Sequence, residues 1–89
     1  MLGFRRNNFQ ELVTEKVNLL LSHFMERYSM TNADAYMALT NTVLYEILED
    51  KNSKLYKADN KLMLDAIEVE EEYGGEAVAT YIANALTNR

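Results

Sequence analysis

The stretch FQELVTEKVNLLLSHFMERY, residues Phe9–Tyr28, repeats its apolar side chains at steps of three and four. Phe9, Leu12, Val13, Val17, Leu20, Leu21, Phe24 and Tyr28 fall on one face of an α-helix, and Leu19 and Met25 widen that face. Glu11, Glu15, Glu26 and Arg27 occupy the other side. The stretch contains neither glycine nor proline, so nothing inside it breaks the helix. A stripe this long has to be buried against further elements, and the chain on its C-terminal side supplies them as helices.

Thr31 is placed to cap a second helix, with Asp34 three residues on, where a capping box carries an acid and where the helix dipole favours negative charge. Ala33, Tyr36, Met37, Leu39, Val43, Leu44, Ile47 and Leu48 supply its apolar stripe. Thr40, Asn41 and Thr42 are weak helix formers in its middle, which leaves one helix, or two bent near residue 40, as alternatives. Asp50–Lys54 reads as a polar turn, and Leu55 and Tyr56, stranded in it, are expected to fold back onto the core as a plug. Asp59 is a good cap for the next helix, whose inner face carries Leu62, Met63, Ala66, Ile67, Val69 and Tyr73. Gly74 and Gly75 end it, and residues 76–86 resume a helical pattern. The expected fold is therefore all-α, a small four-helix bundle with helices at about 9–28, 32–50, 59–73 and 76–87. It is expected as one domain over residues 1–89, with residues 1–8 flexible and neighbouring helices antiparallel.

Composition narrows the function. The chain has 89 residues, no cysteine, one histidine and a formal charge of −5. Without cysteine there is no disulfide framework, thiol nucleophile or zinc knuckle. No apolar run approaches the roughly 20 residues that span a bilayer, and the N-terminus has no apolar stretch of the secretory kind, so a cytoplasmic protein with no membrane partner is expected. Residues 1–28 carry a net charge of +1 and residues 29–89 a net of −6. An acidic body disfavours binding to phosphate backbones and suits basic partners. Arg5 and Arg6 beside Phe4 and Phe9 are too few to change that.

The candidate chemistry is sparse. His23 and Glu26 have the spacing of a carboxylate–histidine metal pair, but a di-metal bundle needs that motif twice and no second histidine exists. His23 is read as a residue at the border of the apolar stripe. Tyr28, Tyr36 and Tyr73 are read as core residues with a wet hydroxyl. No glycine-rich phosphate loop, calcium loop or serine elbow is present, so no enzyme, cofactor, metal or small-molecule substrate is expected. Two surfaces remain. The final helix is apolar nearly all round, and Val78, Tyr81, Ile82, Ala85 and Leu86 are the candidate partner-binding residues. The acidic run 65–72 places Asp65, Glu68 and Glu72 on one helix face, a candidate docking strip for a basic partner. The expected function is a noncatalytic protein-interaction module that associates with itself or with another protein. The alternative is a small helix-turn-helix regulator reading DNA through helix two, which would need outward basic residues there and has none before Lys51.

The order of these segments carries a resemblance. After the long first helix come Tyr28-Ser29-Met30-Thr31-Asn32-Ala33-Asp34-Ala35, then Val43-Leu44-Tyr45-Glu46-Ile47-Leu48, then Lys54-Leu55-Tyr56, then Leu64-Asp65-Ala66-Ile67-Glu68-Val69-Glu70. Over residues 9–72 this resembles small bacterial all-helical proteins classed as domains of unknown function, which are encoded near toxin-like or mobile-element genes. The resemblance implies an antitoxin-like or accessory binding role and carries over no catalytic residue. Residues 74–89 lie outside it.

Overall fold

The core-facing residues Leu39 and Leu44 are five apart, a separation that turns a regular helix through about 140°. The chain buries both because it breaks between them. The computed structural model describes residues 8–87. The expected flexibility of residues 1–8 lies outside the described residues except at Asn8, which opens the first helix, and the readings of Phe4, Arg5 and Arg6 lie outside them too. All regular structure among the described residues is helical: α1 (Asn8–Tyr28), α2 (Asn32–Thr40), α3 (Val43–Glu49), α4 (Asn60–Tyr73) and α5 (Gly75–Thr87). Single 3-10 turns at Lys51–Ser53 and Leu55–Lys57 join α3 to α4. The all-α class holds, and the expected four-helix count is corrected to five, because 32–50 is two helices.

The correction has a local cause. Thr40 Oγ1 and Asn41 Nδ2 both donate back to the Met37 carbonyl, at 3.1 and 3.0 Å, and close α2. Thr42 then turns to extended backbone at ψ 154°, and its hydroxyl accepts the Tyr45 N–H at 3.0 Å as the N-cap of α3. The other caps follow the sequence reading: Thr31 Oγ1 accepts from Asp34 N at 3.2 Å, and Asp59 Oδ1 accepts from Leu62 N at 2.9 Å. Gly74, at φ 98° and ψ 178°, closes α4 in a region that glycine alone adopts readily.

The core runs through all five α-helices and the turn at Leu55–Lys57. Leu20, Leu39, Leu44, Leu48, Leu55, Met63, Ile67 and Val78 are fully buried, each contributing about 1.5–3 kcal/mol by leaving water. Leu55 and Tyr56 form the expected plug between α1 and α3, with the Tyr56 ring edge-on to Phe9 at 4.8 Å between centroids. α5 packs on α4 and α3. Two polar contacts fix α4 along α1: Lys16 Nζ donates to Asn60 Oδ1 at 3.3 Å, and His23 Nε2 meets the Glu71 carboxylate at 3.2 Å. Residue numbers rise together along both helices, so this non-sequential pair runs parallel.

Several faces differ from the sequence reading. Lys16 is buried within the α1 stripe; its hydrocarbon stem covers apolar surface while the amine reaches Asn60. Ala33 and Met37 are exposed, because Ala35 and Leu39 take the inner side of α2. Tyr28, Tyr36 and Tyr73, expected in the core, stand 45%, 47% and 71% exposed. Tyr28 and Tyr73 end α1 and α4, and Tyr36 sits on the short α2.

Candidate functional site

The acidic run of α4 divides by helical phase into three sets of contacts. Glu70 points to α3, where its two carboxylate oxygens accept the N–H groups of Val43 and Leu44 at 2.7 and 2.9 Å. Glu71 points to α1 and pairs with His23. Asp65, Glu68 and Glu72, the strip read from the sequence, share the remaining face, with Glu68 and Glu72 exposed and Asp65 half-buried. The run is thus part scaffold and part surface.

Tyrosines flank the strip on both sides. Toward α1, a shallow hollow is lined by Arg27, Tyr28, Glu68, Glu71 and Glu72. Toward α5, an adjoining hollow is lined by Asp65, Glu68, Val69, Glu72, Tyr73 and Tyr81, and it continues past Glu76 and Thr80. Tyr28 stacks on Phe24, with centroids 6.0 Å apart, and so presents a ring supported from beneath. The α4 C-terminal half is therefore an acid–tyrosine face.

The cations at its edges are exposed. Lys61 Nζ lies 2.9 Å from Asp65 Oδ2 four residues on, and that contact, with the Asp65 charge, raises the Lys61 pKa above its ordinary value. The Arg27 guanidinium lies 5.8 Å from the Tyr28 ring centroid, and contact with Tyr28, then the charges of Glu71 and Glu68, raises its pKa. Exposed pairs of this kind are worth little in stability. Asp65 is thus directly paired, while Glu68 acts on Arg27 through its charge alone. Neither Glu68 nor Glu72 is withdrawn from water, the condition under which paired acids are tuned for acid–base work. Among the described residues no group of three or more His, Asp or Glu side chains is arranged to hold a metal ion.

The second surface read from the sequence is rearranged. Val78 and Ile82, two of the candidate partner-binding residues, are buried in the chain's own core against α3 and α4. Tyr81, Ala85 and Leu86 are half-buried at its margin. The apolar circumference of α5 is accounted for on its outer side by Ala79 and Ala83, small residues that tolerate water. Tyr81 is the one member of that set that also lines the acid–tyrosine face.

The reading from sequence missed that Tyr28 and Tyr73 belong to this face, although their places at the last residues of α1 and α4 carried a signal. A helix end has fewer neighbours to cover it than a helix middle. At the opposite end of the chain's charge distribution, Lys54 and Lys57 border a small hollow with Ser53, Ala58 and Leu86. No helix among the described residues is long and apolar enough to cross a membrane. Comparison with protein-family models, with curated proteins and with solved structures finds no match to this chain.

Proposed function

We propose that this chain is a noncatalytic protein-interaction module that docks a basic segment of a partner protein on the acid–tyrosine face of α4. The observation that carries the reading is the placing of Glu68 and Glu72, exposed between Tyr28 on one side and Tyr73 and Tyr81 on the other. Carboxylates form charge-assisted hydrogen bonds with lysine and arginine. Tyrosine rings attract the same cations through their faces and cover the side-chain stems. Both preferences select one partner chemistry.

The resemblance to small bacterial helical proteins suits such a role, antitoxin-like or accessory, in the cytoplasm. The DNA-reading alternative is less well served: Asp34, Glu46 and Glu49 are exposed on α2 and α3, and residues 32–49 contain no lysine or arginine. Self-association, the other half of the expectation, draws on a different part of the chain and is taken up below.

Selection from a random peptide display library tests the proposal. The wild-type chain should enrich sequences combining lysine or arginine with apolar residues, and binding should weaken steeply with salt. The Glu68→Lys, Glu72→Lys double variant, folded by circular dichroism, should lose those binders. Enrichment of acidic or purely apolar sequences, or undiminished binding by the double variant, would overturn it.

A further inference from the structure

In a straight helix Ala35 and Leu44, nine residues apart, lie about 180° from each other. The break at Thr40–Thr42 alone lets Ala35 and Leu39 share a core with Leu44 and Leu48. That break is shallow. Asn41, at φ −92° and ψ 3°, is close to helical, and only Thr42, at ψ 154°, departs fully. Rotation of the Thr42 ψ, with a smaller adjustment at Asn41, would join α2 and α3 into one helix over 32–49.

The hydrogen bonds at the break permit the exchange. Val43 and Leu44 now donate to Glu70, and Tyr45 donates to Thr42 Oγ1. In a continuous helix the same three N–H groups donate to the carbonyls of Leu39, Thr40 and Asn41. Neither arrangement strands a donor. The straight helix, however, carries Ala35 and Leu39 on one side and Leu44 and Leu48 on the other, and one chain cannot cover both. A second copy can.

We infer that the Thr40–Thr42 hinge opens and that two copies exchange halves, α1–α2 of each packing on α3–α5 of the other. The occupant of each half is the surface it already fits: α1 against α4 and the Leu55–Tyr56 plug, with Lys16 meeting Asn60 and His23 meeting Glu71, now between chains. Glu70 is the latch of the closed form, since the Val43 and Leu44 N–H groups it holds are the ones the continuous helix needs. This deepens the self-association part of the module reading and uses no residue of the acid–tyrosine strip.

The test removes the latch and reads which chain each half belongs to. The Glu70→Ala, Thr42→Ala variant is prepared in two versions, one with His23→Cys and one with Glu71→Cys, in a chain that has no other cysteine. After the two are unfolded and refolded together at high concentration, light scattering should give twice the 10.3 kDa of one chain. A short bis-maleimide should then link position 23 of one chain to position 71 of the other, as it does within one chain carrying both cysteines. A helical variant that keeps the mass of one chain overturns the inference. So does a dimer that gives no link between chains, which is a face-to-face pair. If the variant does not fold, the two cysteine substitutions in the wild-type background, refolded together at high concentration, decide by the same cross-link. Loss of peptide binding by the Glu68→Lys, Glu72→Lys variant reads a different surface, so either idea can fail alone.

Discussion

Glu70 on α4 accepts the backbone N–H of Val43 on α3 at 2.7 Å, across 27 positions of sequence, and its second oxygen takes the next N–H. One carboxylate thus satisfies two of the amide donors that every helix start leaves open. The contact is partly buried and charge-assisted, which places it among the stronger hydrogen bonds of a folded chain.

Glu70→Ala is expected to destabilise the chain by about 2–3 kcal/mol, the usual worth of hydrogen bonds to a charged group. In a domain of this size that lowers Tm by roughly 10–20 °C. Glu68→Ala and Glu72→Ala, on the exposed face of the same helix, should each stay within about 0.5 kcal/mol of wild type. Thermal melts of the three variants check the division of the acidic run. Equal effects at positions 68, 70 and 72 would contradict it.

Gly75 makes the neighbouring contact. A Cβ built there would lie 2.5 Å from Val43 Cγ2, too close for either side chain to stay in place. Gly75→Ala should therefore cost about 1–3 kcal/mol by overpacking, and Val43→Ala in the same chain should recover part of that loss. Gly74→Ala meets open space but holds φ at 98°, so its cost is backbone strain of about 1–3 kcal/mol, and Val43→Ala should not relieve it. A double-mutant cycle on denaturant midpoints separates the two causes.

Tyr45 gives the chain a dependence on alkaline pH. A hydrogen bond to Glu49, then burial, then contact with Tyr36, hold its pKa well above the ordinary tyrosine value. Because the folded pKa is raised, this contribution to stability is complete below the unfolded value of about 10 and is lost as pH rises through the folded value. An ultraviolet phenolate titration should show one of the six tyrosines ionising later than the rest, and Glu49→Gln should bring it earlier. Six tyrosines ionising together in the wild-type chain would contradict the contact.

Local signals carried most of this fold in the sequence. The period of α1, the caps at Thr31 and Asp59, the stop at Gly74 and the Leu55–Tyr56 plug depend on residues close together in the chain, and all are found where the pattern put them. What was missed or left open depends on distant partners. The break near residue 40, one of two readings the weak helix formers left open, is decided by back-bonding from Thr40 and Asn41 together with a carboxylate 27 positions beyond Val43. Val78 and Ile82 were read as surplus surface because their burial against α3 and α4 depends on residues distant in sequence. The strip Asp65, Glu68 and Glu72 was legible as a face, since helical spacing alone defines it. Its tyrosine flanks were not, since Tyr28 and Tyr81 reach it from other helices.

Amide chemical-shift mapping decides whether the acid–tyrosine face of α4 is the docking surface. The probe is the tightest lysine- or arginine-containing peptide from the display selection, titrated into the isotope-labelled wild-type chain. Docking on that face gives shifts concentrated at Arg27 and Tyr28, at residues 65–73 and at Tyr81, with the Tyr36–Met37 surface and the Lys54–Lys57 turn unmoved. Shifts centred on either of those two places, with residues 65–73 silent, would contradict it.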